Sequence, residues 1–163
     1  MIVLGVDPGS HQTGWGLVTW DAGRLRMIAA GVLRLEGSLA ARLVELRRGL
    51  ADVLQRHHPQ AAAVEEPFGQ QRFVRSALVL AHARGVVLLA CAEAGLEPHP
   101  YTPAMVKRVV CGSGNAEKLQ IRRSVQGLLR LRELPPADAA DALAVALCHV
   151  LAEGTRRLVG KRA

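Results

Sequence analysis

The sequence predicts an α/β domain, a mixed five-stranded sheet with helices on both faces. Three observations predict it. Three β-rich runs follow one another through short turns near the N-terminus, the pattern of an antiparallel meander. A short, wholly apolar run, Ala61–Val64, stands between two helical stretches, as does a strand buried on both faces of a parallel sheet. From Pro103 onward the remaining segments all read as helices. The 163 residues suffice for one domain with a real core. Half of them are hydrophobic, which excludes a disordered basic tail.

Each element has its own signal. Met1–Val6 is a first strand, and Asp7-Pro8-Gly9-Ser10 turns the chain. Gly14–Trp20 is the second. A turn at Asp21-Ala22-Gly23 leads to the third, Leu25–Leu35. Ser38 caps a helix to His57, along which Leu39, Leu43, Leu46, Leu50 and Leu54 recur at helical spacing. After the Ala61–Val64 strand, a long helix runs Phe73–Ala94 and stops at Gly95. Glu97–Tyr101 is the last strand. Pro103–Cys111, Ala116–Leu131 and Pro136–Glu153 are helices. Residues 1–154 then form a single domain, and 155–163 a short basic tail expected to fray. The order β-β-β-α-β-α-β followed by helices matches the ribonuclease H-like fold, which alone does not fix a function.

Charge and composition narrow the classes. Twenty-one Lys and Arg against 14 Asp and Glu leave a net +7, which favours a polyanionic partner. Cys91, Cys111 and Cys148 are odd in number and far apart, with no C-x-x-C. That argues against structural zinc and a disulfide scaffold, and fits a reducing cytoplasm. No basic leader precedes the first strand. The longest apolar stretch, Ala77–Ala92, is broken by His82 and Arg84, so no membrane association is expected.

The acids carry the chemistry. Asp7 ends the first strand, Glu65 and Glu66 the fourth, and Asp138 and Asp141 open the last helix. Parallel, neighbouring first and fourth strands would bring their carboxyl ends together. Successive strand residues face opposite ways, so one of Glu65 and Glu66 can join Asp7, but not both. Asp138 and Asp141 are three apart and share a helix face. Singly, each acid has an ordinary reading: a D-P-G turn for Asp7, a dipole-favoured first turn for Asp138, solvated charges for Glu65 and Glu66. As a set of hard oxygen ligands they suit Mg²⁺ or Mn²⁺. Two such ions, roughly 3.5–4 Å apart, would clamp the attacking and leaving oxygens of a phosphodiester hydrolysis.

Both phenylalanines, Phe68 and Phe73, fall in the polar segment after the fourth strand, beside Arg72 and Arg75. Phe73 also fits a core position. Phe68, between Pro67 and Gly69, is set to stack on or wedge between bases. Arg72 and Arg75 can hold flanking phosphates. A Gly-rich turn from Gly112 to Gly114 joins two helices between Lys107 and Lys118, where backbone N–H groups can cradle a phosphate or simply close a turn. His149, on the last helix, shows no metal-ligand spacing.

These residues resemble the RuvC family of bacterial Holliday junction resolvases from end to end. The matching segments are Leu4–Ser10 with Thr13–Gly16, Ala63-Val64-Glu65, Ala83-Arg84-Gly85, Val106-Lys107 through Gly112, Ala116-Glu117-Lys118 and Ala137–Ala144. The resemblance implies a homodimeric, ribonuclease H-like endonuclease that uses divalent metal to nick two opposing strands of a four-way junction. It puts the catalytic and metal-binding acids on Asp7, Glu65, Asp138 and Asp141, choosing Glu65 over Glu66. Some relatives carry His where this chain has Asp138. It makes Phe68 the junction wedge and Lys107 and Lys118 the DNA-contacting lysines. It implies as partners a branch-migration helicase complex of the RuvA and RuvB type, and a cytoplasmic location. Other readings are a ribonuclease H-like nuclease for another branched or hybrid substrate, and an actin-like nucleotide-binding protein.

Overall fold

A computed structural model describes residues 1–21, 23–66 and 74–160, with 154–160 described by their backbone alone. The strands are β1 (Ile2–Asp7), β2 (Gln12–Asp21), β3 (Arg24–Arg34), β4 (Ala61–Glu65) and β5 (Pro98–Tyr101). The helices are α1 (Leu39–His57), α2 (Val74–Glu93), α3 (Pro103–Cys111), α4 (Lys118–Leu129) and α5 (Ala137–Gly160). The sheet order is β3-β2-β1-β4-β5. β1, β2 and β3 pair antiparallel, and β4 and β5 extend them in parallel. The predicted fold class is the observed one.

Local chemistry sets the element ends. The Ser38 side chain accepts from the Ala41 N–H at 3.3 Å, and Thr102 caps α3 through the Met105 N–H at the same distance. Asp7 belongs to β1, because its pairing with Gly14 carries the β1–β2 ladder to the strand end. The largest departure is the C-terminus. The expected frayed tail is helical through Gly160, since a helix already nucleated on a buried core extends at little cost.

The sheet separates two apolar layers. Leu4, Val6 and Leu17 pack with Ala62 and Val64 against α1 and α2. Val3, Val18 and Ala63 face α3, α4 and α5. α5 lies directly on the sheet, and every residue from Ala142 to Val150 is buried. Three glycines allow that approach. Gly5 and Gly16 are register partners, and Gly14 partners Asp7. A Cβ on Gly5 would strike the Ala142 carbonyl, one on Gly14 the Asp138 carbonyl, and one on Gly16 the Leu143 side chain.

α2 is the one described helix long and apolar enough to cross a membrane by length and composition. Here it packs on α1 and β5. Leu78 and Leu89 remain more than half exposed on it. All three cysteines are free thiols.

Candidate active site

The pleat chooses between the two glutamates. On β1, Val3 and Gly5 face α5 while Leu4 and Val6 face α1 and α2, so Asp7 falls on the α5 side. On β4, Ala63 faces α5 and Val64 faces away, so Glu65 joins Asp7 and Glu66 does not. Glu66 instead pairs with Arg84 of α2, at 3.3 Å. The parallel register Val6↔Val64 sets the two strand ends side by side.

α5 supplies the other acids. The bare patch at Gly5, Gly14 and Gly16 lets its first turns sit on the sheet beside Asp7. The electrostatics record how close the groups are. Burial, then Glu65, Asp141 and Asp138 in turn, raise Asp7 from an ordinary 3.8 to about 8, with Lys118 opposing. Burial and Asp141 raise Glu65 from 4.5 to about 7, against Lys107 and Lys118. Burial is also the main cause that raises Asp141, with Asp138 adding to it and both lysines opposing. Asp7, Glu65, Asp138 and Asp141 therefore share one electrostatic site with Lys107 and Lys118.

α3 and α4 bring those lysines. Lys107 rides α3, which leaves β5 directly and ends at Gly112 in the left-handed region (φ 79°). Lys118 is the first residue of α4, two later than the predicted start. Between them the turn closes on itself, with the Ala116 N–H donating to the Ser113 carbonyl. Arg75 is exposed near the start of α2. Phe68, Arg72 and Phe73 lie outside the described residues.

The carboxylates are near enough to raise one another's proton affinity through space. Yet among the described residues, no three His, Cys, Asp or Glu side chains gather closely enough to form a metal centre. An open set of oxygen donors matches the habit of Mg²⁺, which keeps several waters and takes one or two carboxylates plus substrate phosphate. His149 is not among these groups. It is buried, and its Nδ1 lies 2.9 Å from the Tyr101 hydroxyl. The sheet glycines and Tyr101 had no assigned role in the sequence. The G-x-G of Gly14 and Gly16, opposite Gly5 on β1, is the signal for the glycines.

A ribonuclease H-like sheet with acids at the carboxyl ends of adjacent parallel strands defines a class of α/β enzyme with a carboxylate site. The sequence profile described as "Crossover junction endodeoxyribonuclease RuvC" matches residues 3–149. The chain is 49% identical over 150 residues to the crossover junction endodeoxyribonuclease RuvC of Halorhodospira halophila, covering 90% of this chain and 88% of that one. It is 45% identical over 159 residues to the Hahella chejuensis protein of the same name, covering 97% and 92%. Its backbone resembles "T. thermophilus RuvC in complex with Holliday junction substrate" with a TM-score of 0.87, at 36% identity and 94% coverage of both chains. The chain belongs to the crossover junction endodeoxyribonuclease RuvC family.

Proposed function

We propose that this chain resolves four-way DNA junctions by nicking two opposing strands, with Asp7, Glu65, Asp138 and Asp141 as its catalytic, metal-holding acids. One observation carries the reading: three half-buried carboxylates with raised proton affinity, Asp7, Glu65 and Asp141, meet two lysines at one end of the sheet. Family membership supplies the substrate class, and nucleases of this family are metal-dependent. The alternative substrates and the nucleotide-binding reading are not favoured.

The acids would hold two ions, Mg²⁺ or Mn²⁺. When bound, the metal supplies Lewis acidity and a water acidic enough to attack near neutral pH. The chain's own groups do the rest. Asp7 and Glu65 end neighbouring strands whose parallel ladder sets their spacing. Lys107 and Lys118 offset part of the acids' repulsion and attract the phosphate to be cut. Arg75 and Arg72 would hold flanking phosphates, and Phe68 and Phe73 would meet the bases near the crossover.

A second copy of the chain would bind through α2, where Leu78, Val86 and Leu89, with Leu43 of α1, line a shallow apolar groove. A symmetric dimer presents two sites to two equivalent strands. A branch-migration complex of the RuvA and RuvB type would deliver the junction, in the bacterial cytoplasm.

The test is cleavage of a synthetic four-way junction, a fork and an RNA–DNA hybrid, with Mg²⁺ and Mn²⁺ side by side. Paired nicks in the junction are expected, lost in Asp7→Asn and Glu65→Gln and kept in Glu66→Gln. Junction cleavage by Asp7→Asn at the wild-type rate would sink the proposal. Phe68→Ala should keep phosphate-driven binding and lose cleavage.

A further inference from the structure

The core on the α5 side of the sheet is apolar, with Val106 and Val110 of α3, Val125 of α4 and Leu147 of α5. Two polar side chains nevertheless enter it. The Tyr101 hydroxyl lies 2.9 Å from Nδ1 of His149. The residues are 7% and 2% exposed, and their rings meet edge to face with centroids 5.9 Å apart. His99, two residues back on β5, lies over the imidazole at 4.6 Å. Apolar side chains would fill this space without any need for partners. A buried hydrogen bond adds what they lack, a fixed direction between two elements.

Those two elements belong to different halves of the carboxylate site. Tyr101 is the register partner of Glu65, and its carbonyl accepts the Glu66 N–H at 2.8 Å. The next residue, Thr102, caps α3 and so starts the helix that carries Lys107. Tyr101 thus anchors the strand end that holds Glu65. His149 lies on α5, roughly two turns beyond Asp141. Small backbone shifts alter ligand spacing, and groups behind a metal site commonly set its affinity.

We infer that Tyr101 and His149 are a positioning pair, whose hydrogen bond locks α5 to β5 and so sets the spacing of Asp141 and Asp138 from Glu65. The inference rests on the reading of those acids as metal ligands. It is a role in holding the site, exerted through the backbones of β5 and α5.

The experiment titrates DNA-free protein with Mn²⁺ and follows the free-ion signal by electron paramagnetic resonance. Tyr101→Phe and His149→Leu each remove the bond, and His149→Gln retains a group that can meet the phenol. The first two should weaken Mn²⁺ binding about tenfold, and His149→Gln by less. The Mn²⁺ concentration for half-maximal junction cleavage should move by the same factor, with the saturated rate nearly restored. A lower melting temperature with unchanged Mn²⁺ affinity would overturn the pair as a positioning device. So would equal affinities of His149→Gln and His149→Leu, a contrast that serves even if Tyr101→Phe folds poorly. Glu65→Gln is measured alongside. If it binds Mn²⁺ like the wild type, the ligand assignment itself fails, separately from the pair.

Discussion

Asp7 is a carboxylate placed where its charge is costly. Burial is the first cause that lifts it to about 8, and the neighbouring acids come next. Glu65 follows to about 7 for the same leading reason. The folded chain therefore binds protons that the unfolded chain, with carboxyls near 4, has released. Metal-free stability should be highest at acid pH and fall as pH rises from about 4 towards 8. Each tenfold change in proton affinity is worth about 1.4 kcal/mol, so the slope is measurable. Asp7→Asn removes the largest contributor. Its melting temperature in EDTA should exceed the wild type's at pH 8, and the two should converge as pH falls to about 4. A wild type whose metal-free melting temperature climbs between pH 5 and 8 would contradict this assignment.

α5 is the element on which the site depends. It reaches the sheet because Gly5, Gly14 and Gly16 present no side chain to it. Gly14→Ala would put a methyl group onto the Asp138 carbonyl and lift the first turn of α5, moving Asp138 and Asp141 together. Overpacking of this kind costs about 1–3 kcal/mol, more where backbone is struck. Metal binding and cleavage should fall further than stability does. Gly127 of α4 is the contrast, since a Cβ there meets nothing within 4 Å. Gly127→Ala should stabilise by about 0.5–1 kcal/mol in chemical denaturation and leave cleavage unchanged.

Across the whole molecule, charge and apolar surface divide the labour of binding. The net +7 draws in a polyanion, and Lys107 and Lys118 concentrate part of it beside the acids. Junction affinity should fall with salt at a slope of about −0.9 per neutralised phosphate, and Lys107→Ala should lower that slope by about one. On the proposed reading, the apolar side of α2 receives a second copy of the chain. Leu78 and Leu89 are 56% and 51% exposed there. The double variant Leu78→Asp, Leu89→Asp should sediment at the 17.5 kDa of one chain, still fold, and nick strands singly rather than in pairs.

Much of this was legible before any coordinates. Strand and helix order, Ser38 as a cap and the acids at element ends all follow from periodicity and turn residues, which act over a few positions. The carboxylate cluster was foreseeable from parallel strand ends. The choice of Glu65 over Glu66 was not, except by resemblance. It depends on which face of the sheet α5 covers, and that is settled by packing between segments far apart in the chain. The roles of Gly5, Gly14 and Gly16 belong to the same contact, since a missing side chain has meaning only against what lies over it. The convergence of Lys107 and Lys118 on the acids, and the bond from Tyr101 to His149, join positions that no local pattern links. Local periodicity is written along the chain. The apposition of α5 and the sheet exists only once burying their apolar faces has brought them together.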